Sequence, residues 1–197
     1  MNDNATKKQI IDTMCTLVAQ RGYDKTSIGQ IADAIGIKKA SIYYYFKSKE
    51  EIFLKLVSEL YEDDYLQNPL LLQANIDVQT FEKEFLVFGD ALIDSYFDNP
   101  DLRKVYAEID LQTTRISALK EMVDAASERL NEFLGDCITN GIAIGAFPQD
   151  FNVSVNAQLL YMVLVGIDSA ILYDLPIEPK AVWHEAISKL FTRKDSQ

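Results

Sequence analysis

The chain has 197 residues, 48% of them hydrophobic and 25% charged, with eight glycines, five prolines and two cysteines. That composition excludes a disordered chain, a collagen-like repeat and a disulfide-stapled scaffold, and the length suits one large domain or a small domain joined to a larger one. The formal net charge of −11 is segregated: residues 1–58 hold nine Lys or Arg against six acids, a net +3, and the rest hold ten against twenty-four, a net −14. A basic N-terminal part on an acidic body steers a polyanion to one face and repels it from the others.

Glycine and proline are sparse, and apolar residues recur every three or four positions rather than every two, which predicts an all-α chain. From about Thr6 to Arg21, Ile10, Ile11, Met14, Leu17 and Val18 share one helix face, and Gly22 follows as a C-cap would. Lys7 and Lys8 near its start oppose the helix dipole and read as solvated. After Tyr23-Asp24-Lys25, Thr26 or Ser27 offers a capping oxygen for a second helix carrying Ile28, Ile31, Ala32 and Ile35. Gly36 allows the positive φ of a sharp reversal, and Ile37 plugs the angle.

A third helix is predicted from Lys38 to about Tyr45, with Ile42 and Phe46, four apart, packing inward. Lys39, Ser41, Tyr43 and Tyr44 then occupy its outer face and flanks, and Tyr45 packs. Two helices joined by a short glycine turn meet the requirement of a helix-turn-helix, whose second helix enters a major groove. Ammonium groups neutralise phosphates, and Ser or Tyr hydroxyls bond phosphate oxygens. The candidate DNA-contact set is Thr26, Ser27, Lys38, Lys39, Ser41, Tyr43, Tyr44, Lys47 and Lys49. Ser48 and Glu51 form an S-x-x-E capping box for a fourth helix through Ile52, Phe53, Leu56, Val57, Leu60 and Tyr61 to Tyr65.

The order Gly22-Tyr23, Thr26-Ser27-Ile28, Ile31-Ala32, Ala34, Gly36-Ile37, Lys39, Ser41-Ile42-Tyr43, Tyr45-Phe46 and Ser48-Lys49-Glu50 resembles the N-terminal signature of the TetR family of bacterial transcription regulators. The resemblance implies a three-helix DNA-binding domain at residues 1–48, linked by the fourth helix to a larger helical domain at 49–197 that binds an effector and dimerises. Lys38 departs from the family, which often has a capping Ser or Thr there. Either the cap is lost, at a cost of about 1 kcal/mol, or Lys38 trades it for a phosphate contact.

Beyond Pro69 and a polar loop over Gln73–Asp77, Phe81, Phe85, Phe88, Leu92 and Tyr96 form a stripe on one helix, read as core or as the wall of a pocket. Asn99-Pro100 opens a short helix through Leu102, Val105 and Ile109. A long amphipathic helix from Ile116 to Ile138 ends at Gly141 or Gly145. Asp150 is expected to cap the next helix, apolar on every side from Leu159 to Ile167, which its own domain or a second subunit must cover. The last helix, from about Lys180, carries Trp183, Ile187, Leu190 and Phe191. The resemblance implies a four-helix dimer interface from the last two helices, here Leu160, Leu164, Ile167, Ile187, Leu190 and Phe191. It also implies an effector pocket, for which Tyr61, Phe85, Phe88, Tyr96, Asp110, Thr113 and Phe133 are the candidates; the acidic body favours a cationic or neutral effector.

The sequence has no glycine-rich phosphate loop, C-x-x-C pair or H-E-x-x-H. His184 reads as a surface or interface residue, and Cys15 and Cys137 as buried thiols. No catalytic residue, metal or cofactor is expected. Residues 151–167 are uncharged but too short and too polar at their start to span a bilayer, and no secretory signal is visible. The expected protein is therefore a cytoplasmic, homodimeric, ligand-responsive repressor of a pseudo-palindromic operator on double-stranded DNA. A helical small-molecule-binding or protein-interaction module without ligand-gated DNA release is the alternative.

Overall fold

The computed structural model describes residues 3–61, 69–97 and 99–192, apart from the side chains of Tyr96, Phe97 and Thr192. Among the described residues there are nine α-helices and no strand: α1 Asp3–Arg21, α2 Ile28–Ala34, α3 Lys39–Tyr45, α4 Lys49–Leu60, α5 Val78–Phe97, α6 Pro100–Thr113, α7 Ser117–Ala143, α8 Val153–Leu172 and α9 Pro179–Thr192. A short 3-10 turn, Pro69–Leu72, precedes α5. The helices divide between two compact units, each with its own core.

The first unit comprises the described residues of 1–62 and 99–124. Ile10 and Met14 of α1, Ile31 of α2, Ile42 of α3, Ile52 and Phe53 of α4, Val105 and Ile109 of α6 and Leu119 of α7 are all fully buried in it. Removing one such side chain from water stabilises the unit by about 1.5–3 kcal/mol. The unit is larger than residues 1–48, because α6 packs along α1 through Val105 and Ile109. Helix α4 is described to Leu60 with Tyr61 at its C-cap; the expected continuation to Tyr65 falls outside the described residues.

The second unit comprises the described residues of 63–98 and 125–197, with α5, α8 and α9 in mutual contact. Its core is aromatic: Phe81 meets Phe85 edge-on at 5.4 Å between centroids, and Phe88 meets Phe133 at 5.2 Å. Trp183 of α9 is fully buried, and its indole N–H donates to the carbonyls of Phe85 and Leu86 at 3.2 and 3.3 Å. Gly89 makes room for that ring, since a Cβ there would lie 2.0 Å from an indole carbon. At the surface, Asp94 pairs with Lys180 at 2.7 Å and Asp90 with His184 at 2.9 Å.

Asn99 caps α6 with Pro100 at its first position, as expected. For α8 the cap is Asn152, whose carbonyl oxygen accepts from Val155 N–H at 3.0 Å, and not Asp150. The helix starts two residues later than the sequence suggested, and an Asn side chain at that point reaches the first turn as well as an Asp does. Helix α7 ends at Ala143, with Gly145 at φ +77° just beyond it. Cys15 and Cys137 are free thiols, half-buried and buried respectively.

Candidate nucleic-acid interface

The N-cap of α2 is Ser27, not Thr26. The Ser27 hydroxyl accepts from Gln30 N–H at 3.3 Å, and the Gln30 side chain accepts from Ser27 N–H at 2.9 Å, a complete capping box. Thr26 is buried and its hydroxyl donates to Gly22 O at 2.9 Å, so its side chain closes the turn and is not offered to DNA. At the other end of α2, Gly36 adopts φ +70°. Its N–H reaches Asp33 O at 3.3 Å, and Ile37 N–H reaches Ala32 O at 3.0 Å. This glycine-dependent closure satisfies the last carbonyls of α2 and turns the chain into α3.

Ile42, wholly buried, and Phe46 hold α3 against the core. Lys38, Lys39, Ala40, Ser41, Tyr43 and Tyr44 are all exposed. Tyr43 keeps 49% and Tyr44 75% of its surface in contact with solvent. Tyr44 meets Tyr45 edge-on at 4.9 Å, and the Tyr45 hydroxyl donates to Asp3 Oδ1 at 3.0 Å, tying the end of α3 to the start of α1. Lys38 occupies the N-cap of α3 in extended conformation and makes no side-chain cap bond. Lys47 is also exposed, immediately beyond α3. The arrangement is a helix fixed on one side, with cations and hydroxyls on the other, which is what docking into a polyanionic groove requires.

Two expectations for the flank change. Glu51 N–H does bond the Ser48 hydroxyl at 3.0 Å, but the Glu51 carboxylate takes Lys47 N–H at 2.6 Å instead of that of Ser48. Lys49 turns inward: its ammonium donates to Tyr23 O at 2.9 Å and sits 3.9 Å over the Tyr23 ring. Burial lowers the Lys49 pKa, opposed by Asp24 and Glu108. That lysine braces the α1–α2 turn and is not free to clamp a phosphate. Ala40, exposed on α3 among the polar residues, was passed over in the sequence because it has neither charge nor hydroxyl.

The effector candidates divide between the two units. Tyr61, Asp110 and Thr113 belong to the first unit, Phe85, Phe88 and Phe133 to the second, and the side chain of Tyr96 lies outside the described ones. Tyr61 meets Tyr106 edge-on at 5.9 Å, Asp110 is exposed, and the Thr113 hydroxyl donates to Asp110 O at 2.6 Å within its own helix. Phe85, Phe88 and Phe133 are packed core residues. The first unit also carries an open groove of about 740 Å³ between α1 and α4, but Lys8 and Lys55 on its rim are already paired with Glu59 at 3.3 and 3.5 Å.

The residues expected at a dimer interface are turned the other way. Leu160, Leu164, Ile167, Ile187 and Leu190 are buried in the core of their own unit, and Phe191 packs beside Phe147 at 4.9 Å. The large apolar residues that α8 leaves open are Val155, Leu159, Met162 and Val165, with 57%, 49%, 60% and 37% of their surface exposed. Because α8 is apolar all round, its two stripes were indistinguishable by composition. Among the described residues no cluster of His, Cys, Asp and Glu is arranged to hold a metal.

Residues 10–56, which span this helix-turn-helix, match the family model for bacterial regulatory proteins of the tetR family. That match covers the N-terminal helix-turn-helix segment. The chain is 42% identical over 69 residues to the biofilm operon icaADBC HTH-type negative transcriptional regulator IcaR of Staphylococcus aureus (strain Newman), a stretch covering 35% of this chain and 36% of that relative. The chain thus matches about a third of that relative's length. Beyond the N-terminal part the fold carries the likeness. A TetR transcription regulator from Haloarcula marismortui superposes with a TM-score of 0.77 at 20% identity, over 96% of this chain and 98% of that one. SmeT in complex with triclosan gives 0.79 at 16% identity, over 98% and 93%. The all-helical fold of those two structures therefore runs through both units.

Proposed function

We propose that the chain is a transcriptional repressor that binds a pseudo-palindromic operator as a homodimer and answers to a small-molecule effector in the cytoplasm. The observation that carries the DNA reading is the solvent-facing surface of α3, where Lys38, Lys39, Ser41, Tyr43 and Tyr44 project from a helix anchored by Ile42 and Phe46. Ser27 and Lys47, exposed on either side, complete the contact set as phosphate partners. Repression follows the negative regulator that the N-terminal segment is similar to. Replacing Lys39 and Tyr43 together by alanine should leave circular dichroism and oligomeric state unchanged and weaken operator binding at least ten-fold. A folded double variant that binds as tightly as the parent would sink this reading.

The dimer reading rests on α8. Val155, Leu159, Met162 and Gly166 recur at spacings of four, three and four, the pattern of one helix stripe. A Cβ at Gly166 would meet nothing within 4 Å, so a second backbone has room to approach there. Helix α8 is long and apolar enough by length and composition to cross a membrane, but Leu160, Leu164, Ile167 and Ile171 on its other side are buried in the core of the unit. One uncovered stripe on a helix packed along its other side suits a second copy of the chain. A two-fold dimer presents two equivalent α3 helices, hence a pseudo-palindromic site.

The effector belongs with the second unit, whose aromatic core supplies the apolar surroundings a small ligand needs. SmeT, of the same fold, holds triclosan. A ligand preferred by one of two conformations would shift the population and so the affinity for DNA. Titrating triclosan and other apolar ligands against the protein–operator complex tests this; an unchanged DNA affinity across ligands that raise the melting temperature would reduce the second unit to a dimerisation module.

A further inference from the structure

Ala40 lies two residues before Ile42 and Tyr44 two after it, so both stand about 160° round the helix from the buried anchor. They form the ridge of α3 that points straight away from the core, and both are exposed. In helix-turn-helix docking the N-terminal residues of the recognition helix reach the base edges, and Ala40 is the second residue of α3. Tyr44, one turn further on, has the reach to leave the groove floor for the backbone.

We propose that Ala40 reads sequence, its methyl group packing on the C5-methyl of a thymine in each half-site. The side chain has no hydrogen-bonding atom, which removes every donor and acceptor in the groove as its partner, and thymine alone offers a methyl group there. Its shortness brings the α3 backbone close enough for that contact, and the polar neighbours Lys39 and Ser41 remain for the flanking groups. The proposal rests on the reading of α3 as the DNA-contacting helix. Alanine is also the best helix former, so the test must isolate one methyl group from helix stability.

Wild-type protein is first used to select duplexes from a random pool. In the enriched half-site each thymine is then replaced in turn by deoxyuridine, which removes only the C5-methyl, and binding is measured for wild type and Ala40→Gly. We expect one thymine per half-site whose replacement weakens wild type about four-fold, the worth of one buried methyl group. The same replacement should leave Ala40→Gly unchanged, whatever that variant's overall affinity. Ala40→Ser, a better helix former than glycine, should likewise lose most of the four-fold discrimination. If no deoxyuridine weakens wild type, or if each acts equally on all three proteins, the thymine contact is overturned while DNA binding stands. If wild type enriches no sequence at all, the DNA reading falls and this inference with it.

Discussion

Replacing Lys38 with serine separates what this position costs the fold from what it gives to DNA. Lys38 sits at the N-cap of α3 with φ −73° and ψ 142°, and its side chain makes no cap bond. That extended backbone already suits a cap. A serine there would accept from an orphan N–H of the first turn, a bond worth about 0.5–2 kcal/mol. Ser41 N–H already bonds Lys38 O at 2.8 Å, so the gain should lie near the lower end, about 0.5 kcal/mol. The same change removes one ammonium from the solvent-facing surface of α3. If both lysines of a dimer touch phosphates, the slope of log affinity against log salt becomes shallower by about 1.8. Urea denaturation followed by circular dichroism reads the first effect, and anisotropy titrations of a labelled operator at several salt concentrations read the second. Lys38→Ala is the control, expected to flatten the slope without the gain in stability. A Lys38→Ser protein no more stable than Lys38→Ala, with an unchanged salt slope, would refute both halves of the reasoning.

Gly89→Ala forces a Cβ to within 2.0 Å of the Trp183 indole and should destabilise the second unit by about 1–3 kcal/mol, with a shift in Trp183 fluorescence on the native baseline. Met162→Glu should yield a folded monomer by sedimentation, whereas Leu160→Ala, a core change, should cost about 2–5 kcal/mol in stability with association reduced only as far as folding is. Burial, with Glu50 and Asp24 nearby, raises the Tyr23 hydroxyl to about 12 from 10.0. Its contribution to stability is whole below the unfolded value and is lost as pH rises from about 10 to about 12; Tyr23→Phe should remove that loss, and an alkaline limb identical to wild type would contradict it.

Much of the first unit could be read from local pattern. Ile42 and Phe46 four apart fix which side of α3 packs, Gly36 marks the turn, and Asn99-Pro100 marks the start of α6. What stayed hidden depends on contacts distant in sequence. Thr26 and Ser27 are equally able to cap, and only the bond from Thr26 to Gly22 O decides between them. Lys49 looks like any basic surface residue until the Tyr23 ring is placed beneath it. Val105 and Ile109 join the first unit because α6 lies on α1, a pairing across about ninety residues of chain that no periodicity announces. The two faces of α8 interleave at the same spacing and with the same residue types, so burial of Leu160 and exposure of Met162 could not be told apart.

The central claim, that paired α3 helices read DNA, is tested most directly by selecting duplexes from a random pool with the unsubstituted 197-residue chain. The account predicts enrichment of an inverted repeat whose two halves are related by a two-fold axis, lost in the Lys39→Ala, Tyr43→Ala double variant. No enriched sequence, or the same repeat enriched equally by the folded double variant, would contradict it.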